Sequence, residues 1–394
     1  LPHIAHFISY TGTALGGPVN GMAGFVGLLA GRGYSVTVFS SVNGMDGESV
    51  RLDSRVCLVQ EPASPWGGFR RSPSLWGRVR AAEIDLVHSH GLWTDVNRLA
   101  AATARRRDLP HLLAPCGMLA PGALRHHGWK KVPIRFWFQD RALREAQCLH
   151  AKSCQEYEHI RRFGLRNPVA VIANPIAVPS LALGPRTTDH GPRTTIPNRR
   201  TVLFLGRLHP VKGLERLVRA WGNIQTEQAE SRKQKWVLVL AGPDERGYRR
   251  EVESLVAELR CGDSVVFTGE LDDQQKWGAL AAADVFVMPS DFENFGNAIV
   301  EAMSCAIPVI TTTGTPWEEL RTAGAGWWVE PRVEELTAAL REALAMPEEQ
   351  RQAMGKRAAR LAAKFSPEQA GADLIQVYRW LLGENLRPAC VRLD

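Results

Sequence analysis

Nowhere does this 394-residue sequence hold an apolar run approaching the ~18–20 residues that a helix needs to span a bilayer. No membrane-spanning helix is therefore expected. The opening, Leu1-Pro2-His3-Ile4-Ala5-His6-Phe7-Ile8, has no basic stretch followed by a long apolar one, so no signal peptide is expected either. Cysteine is sparse and unpaired. Seven residues, at 57, 116, 148, 154, 261, 305 and 390, form no C-x-x-C pair, which argues against a disulfide framework or a zinc site and points to a reducing cytoplasm. No helix-turn-helix, zinc-finger or RNA-binding signature accompanies the net charge of +7, so nucleic acid is not an expected partner. There is no Asp-x-Asp element; Asp272 and Asp273 are adjacent, in an acidic turn.

The composition that is present suits a soluble globular chain, with 45% hydrophobic and 23% charged residues. Its length suits two domains. The positive charge is uneven. Residues 60–166 hold 18 Lys and Arg against 9 Asp and Glu, so the rest of the chain is net −2. Whatever anion the basic surface meets, it meets in the first half.

Short β-branched runs alternate with helical patterns, the signature of parallel α/β architecture. One series of strand candidates runs through Ile4–Ser9, Ser35–Phe39, Leu86–His88, His111–Ala114 and Val169–Ile172. A second runs through Thr201–Leu205, Trp236–Ala241, Ser264–Thr268, Val285–Met288 and Pro308–Thr311. Between them, residues 179–200 are rich in Gly, Pro, Arg and Thr and carry Gly-Pro-Arg-Thr-Thr twice, at 184–188 and 191–195. That segment reads as a linker or loop. The expected division is 1–178, 179–200, 201–365, and a closing helix and tail at 366–394.

Three strand-to-helix turns carry candidate chemistry. Ser290-Asp291-Phe292-Glu293-Asn294-Phe295-Gly296-Asn297 follows a strand and opens a helix that continues to Glu301. Ligands of open α/β sheets bind beyond the carboxyl ends of strands, and a glycine there lets backbone approach a ligand. Glu293 and Glu301 can both accept hydrogen bonds from vicinal hydroxyls; a solvated Glu and a helix-capping Glu are the competing reading. Gly206-Arg207-Leu208-His209-Pro210-Val211-Lys212-Gly213 offers the planar fork of Arg207 and the compact ammonium of Lys212, a combination suited to two phosphates unless both are plain surface cations. Gly12, Gly16, Gly17 and Gly21 form a glycine-rich turn after the first strand, which can set amides against a phosphate.

Together these motifs closely resemble glycosyltransferase family 4, retaining enzymes of GT-B fold. The match includes Gly16-Gly17, Gly-Arg-x4-Lys-Gly at 206–213, Ala-Gly-Pro at 241–243 and the glutamate pair at 293 and 301. The resemblance implies two Rossmann-like parallel-sheet domains facing an interdomain cleft, with a C-terminal helix crossing back to the N-terminal domain. It implies a nucleotide-sugar donor (UDP-, GDP- or ADP-sugar) and a glycan or lipid-linked acceptor, in bacterial polysaccharide or glycolipid synthesis. It further implies hexosyl transfer with no cofactor and no metal. Arg207 and Lys212 would neutralise the donor diphosphate, and Glu301 would hold the ribose. Glu293, with the amides of Asn294, Phe295 and Gly296, would grip the sugar, and Gly16 and Gly17 would meet the phosphates. A nucleotide-sugar epimerase and a non-catalytic scaffold are the rivals; the intact Arg207, Lys212, Glu293 and Glu301 favour transfer.

On the acceptor side, Asp85–Trp93 looks like the family's strand-end His-x-His, with His90 and Trp93 as site candidates and His88 as a core histidine satisfied by backbone. Cys116 stands where relatives often carry His or Arg; Arg125, His126, His127, Lys130 and Lys131 are candidates to compensate. Residues 125–144 mix cations with Trp129, Phe136, Trp137 and Phe138. They suit either an anionic membrane surface, making the protein peripheral on the inner face of the cell membrane, or a helix with its aromatics in the core.

Overall fold

The first strands are mostly buried along their length, as parallel strands covered by helices on each side are, with histidines and serines among their apolar residues. In the computed structural model they form β1 (His3–Ile8), β2 (Ser35–Val42), β3 (Cys57–Pro62), β4 (Leu86–His90), β5 (His111–Ala114), β6 (Cys148–Ala151) and β7 (Val169–Val171). The second series is β8 (Arg200–Leu205), β9 (Trp236–Ala241), β10 (Val265–Gly269), β11 (Val285–Met288), β12 (Val309–Thr312) and β13 (Gly326–Val329), and the chain ends in β14 (Val391–Arg392). The structure describes residues 1–12, 17–43, 49–64, 69–179, 199–228 and 236–393. Gly16 and most of the 179–200 segment lie outside them.

The strands assemble as two sheets, ordered β14-β7-β6-β5-β4-β1-β2-β3 and β10-β9-β8-β11-β12-β13. All described pairings are parallel except β14 against β7. Each sheet reverses its winding once, between β1 and β4 and between β8 and β11. These are the Rossmann switch points, where ligands enter. The chain divides into two units, Leu1–Ile176 with Phe365–Asp394, and Ala177–Lys364.

The closing helix, Pro367–Leu381, thus belongs with the first sheet. Ser366 caps it by accepting from the Gln369 amide at 3.2 Å, and Pro367 suits its first turn. Leu374, Val377 and Tyr378 are fully buried in the cluster that holds Met22, Phe25 and Val26 of the Gly17–Gly31 helix. Burying each such side chain contributes roughly 1.5–3 kcal/mol, so this helix is core to the first unit.

Residues 125–144 resolve the choice between core and surface. Trp129, Val132, Phe136 and Trp137 are exposed, Phe136 at 86%. Within the run, Arg135–Gln139 is one turn of π-helix. The wider turn brings Gln139 inward, fully buried, and leaves Phe136 and Trp137 outward.

Candidate active site

In the second unit the turns after β8 and β11 are joined by backbone. The Asp291 amide donates to the Val211 carbonyl at 2.8 Å, and the Glu293 amide ties the same turn to the loop after β12 by donating to the Gly314 carbonyl at 3.0 Å. Gly213 makes this closeness possible. Its φ is +68°, and a Cβ there would sit 2.1 Å from the Pro289 carbonyl oxygen, a conformation and a distance only glycine tolerates. His209 Nδ1 accepts from the Val211 amide at 3.1 Å and so caps the Pro210–Lys212 turn.

This stitching sets Lys212 against Glu293. The ammonium lies 2.5 Å from Glu293 Oε1, and the Ser290 hydroxyl donates to the same oxygen at 2.8 Å. Both charges are largely withdrawn from solvent, at 15% and 13% side-chain exposure. Arg207 instead pairs with Glu245, and Glu301 with Lys276 at 3.1 Å. Of the four charged candidates, the fold pairs Lys212 with Glu293 directly and gives Arg207 and Glu301 other partners. Phe295 is buried, its carbonyl accepting from the Trp317 indole at 2.5 Å. Gly296 (φ +84°) opens the Asn297–Ser304 helix, whose second turn carries Glu301.

In the first unit, Gly17 begins the Gly17–Gly31 helix and is exposed. His90 ends β4 and is 2% exposed. Asn97 fixes the turn after it, donating to the carbonyls of His90 at 3.2 Å and Gly91 at 2.9 Å. Trp93 (φ +72°) donates its amide to the buried Gln139 at 2.9 Å, and its own indole N–H is buried without an acceptor among the described residues. His88 is buried as expected, but side chains satisfy it rather than backbone: Tyr378 at 2.7 Å and His150 at 3.3 Å. Burial lowers His88, His90 and His150 well below the ordinary histidine value and His6 to about 3, and neighbouring positive groups add to each shift. All four imidazoles are therefore neutral at pH 7.

Cys116 is a neutral thiol, pushed up to about 11 by burial. The cation whose field reaches it is Lys152, just beyond β6, buried and itself lowered to about 8 by that burial. Lys131, one of the expected substitutes, donates instead to the carbonyls of Ala123 and His126. Nothing in the sequence marks Lys152, Lys276 or Glu245, because none lies in a recognisable spacing with its partner. Asp272 caps the Asp273–Ala282 helix in a capping box with Gln275, which accounts for that acidic turn.

Two family models together match most of the chain. The glycosyl transferase 4-like domain matches residues 16–175, and glycosyl transferases group 1 matches residues 186–361. The chain belongs to the family 4 glycosyltransferases. This glycosyltransferase is 29% identical over 389 residues to a D-inositol 3-phosphate glycosyltransferase of Kineococcus radiotolerans, covering 89% of this chain and 87% of that one. Its GT-B fold superposes on a sucrose-phosphate synthase of Thermosynechococcus elongatus with a TM-score of 0.78 at 21% identity, over 98% of this chain and 100% of that one. The Anabaena protein HepE, solved in complex with UDP and glucose, gives 0.76 at 18% identity, over 96% and 100%.

Proposed function

We propose that this glycosyltransferase moves a hexose, with retention of configuration, from a nucleoside diphosphate sugar to a hydroxyl of a glycan or lipid-linked acceptor in bacterial polysaccharide or glycolipid synthesis. The observation that carries the reading is the Lys212–Glu293 pair, held at 2.5 Å by two backbone-stitched turns beyond the carboxyl ends of β8 and β11. An ammonium there can stabilise the negative charge that develops on a diphosphate leaving group, and a carboxylate fixed by Ser290 can accept hydrogen bonds from sugar hydroxyls. Arg207, two residues beyond β8, supplies the second cation by exchanging Glu245 for phosphate oxygens. Glu301 takes the ribose hydroxyls. HepE's complex with UDP and glucose, on the same fold, supports a donor of this class.

The departing phosphate takes the acceptor's proton in a front-face attack, so the chemistry asks for no protein nucleophile. The cations do the work that a metal bound to the diphosphate does elsewhere. The first unit holds the acceptor, with His90 near its hydroxyls, and UDP, GDP and ADP sugars are the donors to compare. The exposed Trp129, Phe136 and Trp137 among Lys130, Lys131 and Arg135 suit a cytoplasmic protein resting on anionic lipid.

A panel of sugar nucleotides tests the donor site. One member should raise the unfolding temperature and be slowly hydrolysed. Lys212→Ala and Glu293→Ala should each cut transfer by roughly 100-fold or more while circular dichroism stays native. Near-normal turnover in either folded variant defeats the assignment.

A further inference from the structure

Four histidines and a tyrosine lie fully or almost fully buried against one face of the first sheet: His6 on β1, His88 and His90 on β4, His150 on β6, and Tyr378 on the closing helix. The register explains their meeting. His6 pairs with His88 across β1 and β4, and His90, two residues on, shares the face of His88. Their polar atoms form one continuous line. His90 Nε2 is 3.0 Å from His6 Nδ1, and His6 Nε2 is 3.2 Å from the Tyr378 hydroxyl. That hydroxyl is 2.7 Å from His88 Nδ1, His88 Nε2 is 3.3 Å from His150 Nδ1, and His150 Nε2 is 2.9 Å from the Ile172 carbonyl.

The far end fixes the direction of every link. A carbonyl only accepts, so His150 Nε2 carries its proton, and the bare Nδ1 of a neutral ring must accept. His88 Nε2 therefore donates to it, which leaves His88 Nδ1 to accept from the Tyr378 hydroxyl. The Tyr378 oxygen then accepts from His6 Nε2–H, and His6 Nδ1 accepts from His90 Nε2–H. Lys152, with its Nζ 3.3 and 3.5 Å from the two nitrogens of His150, opposes any extra proton at that end. One atom is left over. His90 Nδ1 is a bare acceptor with no partner among the described residues, at the carboxyl end of β4 and at the sheet's switch point. His6, His88 and His90 are also grouped closely enough to hold a metal ion. In the hydrogen-bonded line, however, the lone pairs of His6 and His88 are already used, and Lys152 sets a positive charge beside them.

We propose that Tyr378, His6, His88 and His150 are positioning residues that hold His90 as its Nε2–H tautomer, so that its Nδ1 accepts a hydrogen bond from a hydroxyl of the acceptor. This rests on the reading of His90 as an acceptor-side residue. Each donor in such a line strengthens the next, and a fixed tautomer presents a lone pair without rearrangement when the hydroxyl arrives. Tyr378 is the link on which the rest depends, since among the described residues it alone hydrogen-bonds to both His6 and His88.

Nitrogen-15 histidine spectra of the full chain at neutral pH test the line without reference to activity. All four rings should show a protonated Nε2 and a bare Nδ1. In Tyr378→Phe, which keeps the packing, the His6 and His90 signals should move to a mixture of tautomers. With whichever donor the panel identifies, kcat/KM for the acceptor should fall about tenfold in Tyr378→Phe and in His90→Ala while the donor KM holds. Tyr378→Phe should cost nothing further in the His90→Ala background, whereas a merely structural role would add its own loss there. An Nδ1–H or charged His90, or a spectrum that shifts with stoichiometric zinc, overturns the line itself. Normal acceptor kinetics in His90→Ala overturns its link to the acceptor, with the tautomer pattern telling the two failures apart.

Discussion

At the scale of single residues, the Lys212–Glu293 pair has a stability consequence separable from its chemical one. Two charges with most of their surface withdrawn from water depend on each other, and removing one strands the other. A single Lys212→Met or Glu293→Gln change should cost about 1–3 kcal/mol, lowering the second unit's unfolding midpoint by roughly 2–4 °C for each kcal/mol. Combining the two neutral replacements should recover most of that loss and none of the transfer activity. A double variant that is as unstable as the sum of the singles would mean the pair is not a closed unit; one that still turns over would mean neither charge is used. Both residues were legible because each follows a strand end in a turn that holds glycine, Gly206 and Gly213 around Lys212 and Gly296 after Glu293. Their counterparts were not. Glu245 and Lys276 sit at ordinary helix and loop positions, and Tyr378 meets His88 across 290 residues of chain. A spacing rule sees neighbours on one element, and these partners are assembled by the sheet.

Among the elements, most strands declared themselves, the short β5, β7 and β12 and the part-exposed β10 included, whereas β3, β6, β13 and β14 did not. Continuous burial favours the nearly unbroken apolar runs that mark β8, β9 and β11, while β1 and β4 show in the apolar residues beside their buried histidines. β3 is only partly buried along Cys57–Pro62, β6 has four residues with a histidine among them, and β14 has two; none carries a pattern that a loop could not. The 125–144 segment was ambiguous for another reason. An aromatic every few residues fits a core face as well as a wet one, and the decision came from the π-turn at Arg135–Gln139, which no composition announces. Its outcome is testable with vesicles. Binding should rise with the fraction of anionic lipid, fall as salt is added, and drop several-fold when Trp129, Phe136 and Trp137 are all replaced by serine. Binding that ignores lipid charge, or survives the triple replacement, removes the membrane from the proposed function.

Taken as a whole molecule, the two units answer acid differently, because among the described residues the buried imidazoles lie in one of them. His6, lowered to about 3, and His111, lowered to about 4, join His88, His90 and His150, all held neutral mainly by burial in the first sheet. In the second unit the described histidine is His209, part-exposed on a turn and lowered by burial and neighbouring cations. Unfolding frees a histidine to titrate near its ordinary value of about 6.5. Between that pH and the lower folded value the unfolded state binds more protons, so stability falls as pH falls. The contribution is complete above about pH 7.5, and each such histidine withdraws up to about 1.4 kcal/mol per pH unit below 6.5. Five acting together should open the first unit while the second is still folded. Hydrogen exchange read by mass spectrometry at pH 7.5, 6 and 5 should show protection lost first in β1, β4, β5, β6 and the closing helix, with β8, β9 and β11 holding. Because Tyr378 joins the closing helix to the histidine line, that helix should loosen together with the strands. Parallel loss in both units, or a first unit indifferent to this range, would mean the histidines are not held neutral by the fold.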